Sequence, residues 1–325
     1  MDLFEHDAAV QATNDDAQTT KINTVARGYY EDPFVRYFAR TGSRKSPLIN
    51  RGTWVRVQAV YDSVYRFLET YRENSCRQIV SLGSGFDSLY FQLQRKGLLQ
   101  EGDRFLDVDY DSVISKKVEI IRTNPELRTA LRADLTQLTN ACGAKTDQYI
   151  LAGVDLRLVE DFKRVTEEVA GFNLKKPTLV ICELVLIYME PKYSDAVLSY
   201  LSSSFAELLL FNFEQVGPED PFGKQMTKNI EARGSPLMGL VAYPSVRAQK
   251  ERFQKFNFNA VAAMSMLEYY SKFVSASEKI RTNRLEPLDE IEEFELILEH
   301  YCTVWASRTT GDLAHIERLL PPEAG

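Results

Sequence analysis

The stretch Ile79-Val80-Ser81-Leu82-Gly83-Ser84-Gly85-Phe86-Asp87 decides the fold. An apolar run ends in Gly83-x-Gly85 and passes at once into a helix-compatible segment, Asp87-Ser88-Leu89-Tyr90-Phe91-Gln92-Leu93. Strand, tight turn and helix in that order form the element by which doubly wound α/β folds hold a nucleotide-like cofactor at the carboxyl end of the first strand. A dinucleotide fingerprint wants Gly or Ala at position 88, and Ser88 stands there. A pyrophosphate on the helix N-terminus demands close helix–strand packing, whereas a cofactor without phosphates does not. The turn therefore leans towards S-adenosylmethionine over NAD.

Apolar runs recur outward from this element. After Ile79–Leu82, strands are expected at Arg104–Tyr110, Gln148–Asp155, Thr178–Ile187 and Glu207–Phe213, with helices at Ser112–Thr123, Leu158–Phe172 and Ser194–Phe205. That alternation means a parallel sheet covered on both faces. Before it, Arg51–Arg72 places Val57, Val60, Tyr61, Val64, Tyr65 and Leu68 on one helical face. After Phe213 the alternation breaks. Residues 217–255 carry turns, charges and a helical stretch at Lys224–Ala232, as expected of an insertion over the cofactor end of the sheet. Order is expected again near Phe256–Met264, then helices around Met266–Phe273 and Leu288–Glu293, and a last strand at Glu299–Ser307. Residues 1–20, polar and acidic, read as a disordered tail.

The 325 residues, 44% hydrophobic and 26% charged, are ample for a globular core. A net charge of −7 and the lack of a Lys/Arg tract argue against a nucleic-acid binder. Cys76, Cys142, Cys182 and Cys302 are scattered, as are His6, His300 and His315, so no zinc spacing arises and no metal is expected. Cys182 and Cys302 read as buried thiols of a reducing compartment. With no signal peptide and no membrane-spanning apolar run, the expected setting is cytoplasmic.

Several positions carry candidate chemistry. Asp109 closes the second strand, 24 residues after Gly85, where a carboxylate accepts from both hydroxyls of an adenosine ribose. Asp107 shares its strand face but lies further from the carboxyl end. Asp155-Leu156 follows the third strand, at the place of an adenine amino group, although Asp155 also reads as a helix N-cap. Glu183 interrupts a run apolar on both sides. A carboxylate there needs a cationic partner, either the amino group of the methionine moiety or a protein Arg or Lys. Lys21 and Arg56 could reach a methionine carboxylate, but composition alone makes them solvated charges. Tyr188 sits just past the fourth strand, over the cofactor end or simply packed.

In order and spacing these positions resemble the leucine carboxyl methyltransferase family, whose enzymes methylate the C-terminal leucine of the type 2A protein phosphatase catalytic subunit. The resemblance runs from about Lys21 to Arg308. It includes Gly28-Tyr29-x-x-Asp32-Pro33, Pro47-x-Ile49-Asn50-Arg51-Gly52, Leu82-Gly83-Ser84-Gly85-Phe86-Asp87 and Asp107-Val108-Asp109. Asp155-Leu156-Arg157, Cys182-Glu183-x-Val185-Leu186-x-Tyr188-Met189, Glu214-Gln215-Val216, Phe222-Gly223 and His300-Tyr301-Cys302 continue it. The resemblance implies a class I S-adenosylmethionine-dependent methyltransferase: a Rossmann-like seven-strand sheet, its last strand antiparallel, with a helical lid. It implies cofactor contacts at Lys21, Arg56, Gly83, Asp109, Asp155, Leu156 and Glu183, to which the turn itself adds Gly85. Ser81 stands where many methyltransferases carry an acidic residue, which leaves Glu183 as the main carboxylate for the methionine amine.

The expected organisation is one methyltransferase domain over 21–308. It comprises a helical cap (21–75), a cofactor-binding core (76–216), the lid (217–255) and C-terminal core elements (256–308), followed by a tail (309–325). The expected product beside S-adenosylhomocysteine is a methyl ester, formed by direct displacement without a general base, with Arg56 and Tyr188 orienting the substrate carboxylate. The expected partner is the phosphatase subunit, with no nucleic acid and no membrane, and the expected state is a monomer. Two rivals stand. One is a carboxyl methyltransferase of a modified tRNA base side chain, whose similar members carry a long β-propeller extension not seen before Gly325. The other is a non-catalytic phosphatase-binding regulator on the same fold.

Overall fold

A computed structural model describes residues 3–309, apart from 40–43, 75 and 140. The expected C-terminal tail therefore lies outside the described residues, except for Thr309. Three helices come first: α1 (Leu3–Ala26), α2 (Val35–Phe38) and α3 (Pro47–Thr70). The core follows as β1 (Gln78–Leu82), α4 (Leu89–Arg95), β2 (Arg104–Asp109), α5 (Asp111–Thr123), α6 (Pro125–Leu131), β3 (Thr136–Gln137), β4 (Gly143–Lys145) and β5 (Tyr149–Gly153). It continues through α7 (Val159–Arg164), β6 (Thr178–Glu183), α8 (Pro191–Ser204) and β7 (Glu207–Gln215). The segment expected as a lid carries α9 (Pro221–Glu231) and α10 (Val246–Lys255), and β8 (Ala260–Ser265), α11 (Met266–Phe273), α12 (Ala276–Leu285), α13 (Ile291–Glu299) and β9 (Tyr301–Thr309) follow.

The strands form one sheet in the order β3-β4-β5-β2-β1-β6-β7-β9-β8. The centre is parallel, and β9 runs antiparallel to both β7 and β8. Seven of these strands make the expected class I sheet with its antiparallel last strand. The sheet has nine because β3 and β4 add an antiparallel extension at the β5 edge. Strands of two and three residues are too short to show alternation in sequence.

Successive residues of the central strands serve opposite faces. Ile79 and Leu179 pack with Trp54, Phe67 and Trp305, while Val80 and Val180 pack with Leu198, Leu201 and Phe253. Burying such a side chain contributes about 1.5–3 kcal/mol, which is what fixes the sheet between its helical layers. The register aligns Leu82 with Val108 and Cys182, Asp109 with Gly153, and Glu183 with Phe213. Gly83, Asp109 and Glu183 thus emerge side by side at one rim.

Three expectations are corrected. Residues 3–20 are not a disordered tail but most of α1, held through polar contacts over the strand ends (below) rather than by an apolar stripe. The fourth strand stops at Glu183 rather than Ile187, because Leu184 turns into the left-handed region (φ +60°) and Leu186–Tyr188 forms one 3₁₀ turn. The helix expected over Leu158–Phe172 is α7 plus a π turn at Val165–Val169.

Candidate active site

The turn after β1 is tied to β2. Ser84 N donates to Val108 O (3.0 Å), and Gly85 N donates to the Asp109 carboxylate (2.7 Å). Gly83 and Gly85 have φ of +56° and +50°, where a side chain is strained. A Cβ on Gly83 would lie 2.7 Å from Val185 Cγ2, and one on Gly85 would lie 2.2 Å from Asn14 Oδ1. Asp109 also accepts from Tyr110 N (2.7 Å) and is only 8% exposed. Burial pushes its carboxyl up to about 6, against the pull of the Gly85 and Tyr110 N–H groups. Asp107 is committed elsewhere, to Lys117 and Tyr149 in the core, so Asp109 is the one free to meet a ligand at the rim. Ser88, in place of a third glycine, donates to Asp32 and accepts from Gln92.

Four charged side chains meet beside the turn. Lys21 pairs with Asp87 and lies 3.4 Å from Glu183, and Arg56 pairs with Glu183 while its guanidinium lies 5.2 Å from the Phe213 ring centre. Burial opposes the charge on both members of the first pair, but pairing prevails: Lys21 is held above its ordinary pKa and Asp87 below. The cationic partner that Glu183 requires is thus Lys21 together with Arg56, neither of them a merely solvated charge. Tyr30 Oη and Ser84 Oγ are buried in the same region without a hydrogen-bond partner among the described residues.

On the β5 side, Asp155 is not the expected helix cap. It accepts from Arg157 N (2.9 Å) and from the Arg157 guanidinium, which also reaches Asp7 of α1 at 2.6 Å. Further along α1, Gln11 contacts Ser112, and Asp16 contacts Arg233 of the lid at 3.4 Å. The helix is therefore a roof fastened at both sides of the cofactor end. Leu156 is buried in the wall of the same cavity.

On the other side, buried Glu214 accepts from Ile187 N (2.8 Å) and Gln249 Nε2 (3.3 Å), fixing the turn that carries Tyr188 to α10. Burial pushes the Tyr188 hydroxyl up to about 12. The lid starts on Asp220, which caps α9 through Gly223 N (2.7 Å), with Pro221 at the first helical position. Gly239 N donates to Ile187 O at 2.8 Å, seating the lid loop on the Tyr188 turn.

All nine expected residues (Lys21, Arg56, Gly83, Gly85, Asp109, Asp155, Leu156, Glu183 and Tyr188) line one cavity of about 860 Å³. Sequence reasoning missed Tyr30, Asp87, Arg157, Gln215, Arg233, Ser235 and Tyr301, which line it too. Asp87 and Gln215 lay inside quoted motifs, whereas Arg233 and Ser235 carried no signal. Among the described residues no group of three His, Cys, Asp or Glu gathers as a metal site, and no helix is long and apolar enough to cross a membrane.

The family model for leucine carboxyl methyltransferase matches residues 9–202. The chain belongs to this family. It is 38% identical to the leucine carboxyl methyltransferase 1 homolog of Arabidopsis thaliana, covering 92% of this chain and 89% of that one. It is 32% identical to leucine carboxyl methyltransferase 1 of Bos taurus, covering 94% and 92%. It is also 38% identical to the human tRNA wybutosine-synthesizing protein 4, covering 94% of this chain but 45% of that protein. A DUF574 family protein from Streptomyces avermitilis shares the fold, with a TM-score of 0.55 at 13% identity over 90% of this chain and 97% of its own. Family and fold together make this leucine carboxyl methyltransferase relative an enzyme of methyl transfer.

Proposed function

We propose that the protein transfers the methyl group of S-adenosylmethionine to the C-terminal leucine carboxylate of the type 2A protein phosphatase catalytic subunit. One observation carries the cofactor assignment: Lys21, Arg56, Asp87 and Glu183 set two cations and two anions at one half-buried place. An amino-acid zwitterion needs both signs, and Tyr30 Oη and Ser84 Oγ beside them await partners. Gly83 and Gly85 keep the backbone open there, Asp109 takes the ribose hydroxyls, and Asp155 and Leu156 hold the adenine. A cavity of about 860 Å³ lies towards the upper end for a ligand pocket, and its lining extends beyond the residues assigned to the cofactor.

The bound cofactor supplies an electrophilic sulfonium methyl. The acceptor needs no activation: an α-carboxyl with a pKa of about 3.5 is protonated in fewer than about one in 10³ molecules at pH 7. Arg56 and Tyr188 orient that carboxylate. In-line positioning can contribute about 7–11 kcal/mol, and the α1 roof and lid exclude water. We place the enzyme in the cytoplasm as a monomer.

The reading is tested with labelled S-adenosylmethionine and phosphatase subunit, intact or lacking its terminal leucine. Label on the intact subunit alone is expected, and label on both or on neither sinks the proposal. The identity to the human wybutosine protein favours one second reading, a carboxylate on a modified tRNA base, against which the net charge of −7 weighs. A parallel incubation with tRNA lacking the ester decides between them, and a subunit that is bound but unmethylated marks a regulator.

A further inference from the structure

A cofactor lying along the strand ends from β5 to β6 leaves part of the cavity unfilled. Sheet order sets Asp155 and Asp109 on one side of the glycine turn and Glu183, then Gln215, on the other. Gln215 Oε1 at that far end, and Ser235 Oγ on the segment after α9, have no hydrogen-bond partner among the described residues, although their residues are only 3% and 2% exposed. Buried polar atoms are nearly always paired. Two orphans brought to one cavity by β7 and the lid mark a place where a ligand completes the bonding. Around them, Ile230 and Met238 give apolar lining, and Arg233 and Arg56 both act on the Tyr188 hydroxyl.

We propose that Gln215 and Ser235 read the last residue of the acceptor chain. Gln215 Oε1 accepts the N–H of the terminal peptide unit. Ser235 Oγ donates to the carboxylate oxygen that does not react. Ile230 and Met238 face the terminal side chain, with Arg233 towards the anion. A chain terminus offers one N–H beside one carboxylate, which matches one unpaired acceptor and one hydroxyl donor. In the transfer itself the other carboxylate oxygen bonds to the methyl carbon, the S–C bond breaks with its electron pair left on sulfur, and no proton moves. The pair therefore acts by placing the anion, not by titrating it. This assignment rests on the carboxyl-methylation reading above.

The test compares wild type, Ser235→Ala and Gln215→Leu on the phosphatase subunit. A second, semisynthetic acceptor has its terminal peptide N–H replaced by ester oxygen. Ser235→Ala should raise the acceptor KM about 10-fold or more, and Gln215→Leu about 3- to 10-fold. Cofactor Kd should stay unchanged, and Tm should hold or rise for Ser235→Ala, which removes an unpaired buried polar atom, while Gln215→Leu also gives up the amide's bond to Tyr301. The ester acceptor should be poorer than the natural one for wild type but no poorer for Gln215→Leu. An unchanged KM, an ester penalty equal in both enzymes, or a fall in Tm with loss of cofactor binding overturns the assignment. A wild type that transfers nothing to the phosphatase refutes the functional reading and this inference with it. A wild type that transfers while the variants match it refutes the inference alone.

Discussion

Replacing Asp109 by Asn separates what this carboxylate does for the fold from what it does for the ligand. Burial raises its pKa from an ordinary 3.8 to about 6. The folded chain therefore favours the neutral carboxyl. That favourable contribution is complete below pH about 3.8 and is lost as pH rises through about 6. The gap corresponds to about 3 kcal/mol of desolvation cost carried by the wild type at neutral pH. The Gly85 and Tyr110 N–H groups donate to different oxygens of Asp109, and an amide accepts at one and turns its NH2 against the other, so near pH 4 the variant should be the less stable by about 1–3 kcal/mol. Between pH 4 and pH 7 the difference should shift in the variant's favour by up to about 3 kcal/mol. Urea unfolding of both chains from pH 4.5 to 7.5 measures the difference directly. Cofactor affinity should run the other way: the ionised group keeps lone pairs for two ribose hydroxyls, so wild-type affinity should rise through about pH 6 and exceed the variant's about 10-fold or more at pH 8. A stability difference independent of pH, or a variant that loses ground as pH rises, would refute the reasoning.

Arg56→Ala removes one of the two cationic partners of Glu183 and the cation over Phe213. Calorimetry should show cofactor Kd raised about 10- to 100-fold, turnover should fall with it, and full turnover with intact binding would remove Arg56 from the site. Gly85→Ala sets a Cβ 2.2 Å from Asn14 Oδ1 at φ +50°. Thermal unfolding should show about 1–2 kcal/mol lost to backbone strain, with cofactor affinity partly restored by adding Asn14→Ala if the roof contact is what fails. Glu214→Ala strands Ile187 N and Gln249, so it should destabilise by about 3 kcal/mol and raise the acceptor KM, a rise absent if the Tyr188 turn holds without it.

What was legible in the sequence was what depends on short-range pattern. β1 ends in glycines because the chain must turn at φ above zero, and a run of Ile, Val and Leu followed by two glycines announces that. Asp109 and Glu183 were legible because polarity interrupts or ends an apolar strand, and the register then sets both beside Gly83. α1 was not legible. Its residues carry no apolar stripe, and Asp7, Asp16 and Lys21 find partners at Arg157, Arg233 and Asp87, far away in the chain. The end of β6 was misread for the opposite reason: Leu184–Ile187 are as apolar as the strand, and only the φ of Leu184 ends it.

The pairing of Lys21 with Asp87 also decides how the site tolerates being empty. A lone buried charge is expensive, so a pocket built for a zwitterion needs internal counter-charges until the ligand arrives. Lys21→Met should leave Asp87 with the Leu89 N–H (2.7 Å) and the more distant field of Lys117, and no cation paired to it. With 27% of the Asp87 side chain still exposed, the loss should be about 3 kcal/mol, the low end for a broken buried pair. Adding Asp87→Leu should recover most of that stability, because no buried charge is then stranded. It should not recover cofactor binding, since the complement to the zwitterion is gone. Urea titrations of the single and double variants, with calorimetry on each, separate the two roles. A double variant that regains both stability and affinity would mean the pair is structural and the zwitterion is held elsewhere. One that regains neither would mean Lys21 supports the fold through its packing rather than its charge.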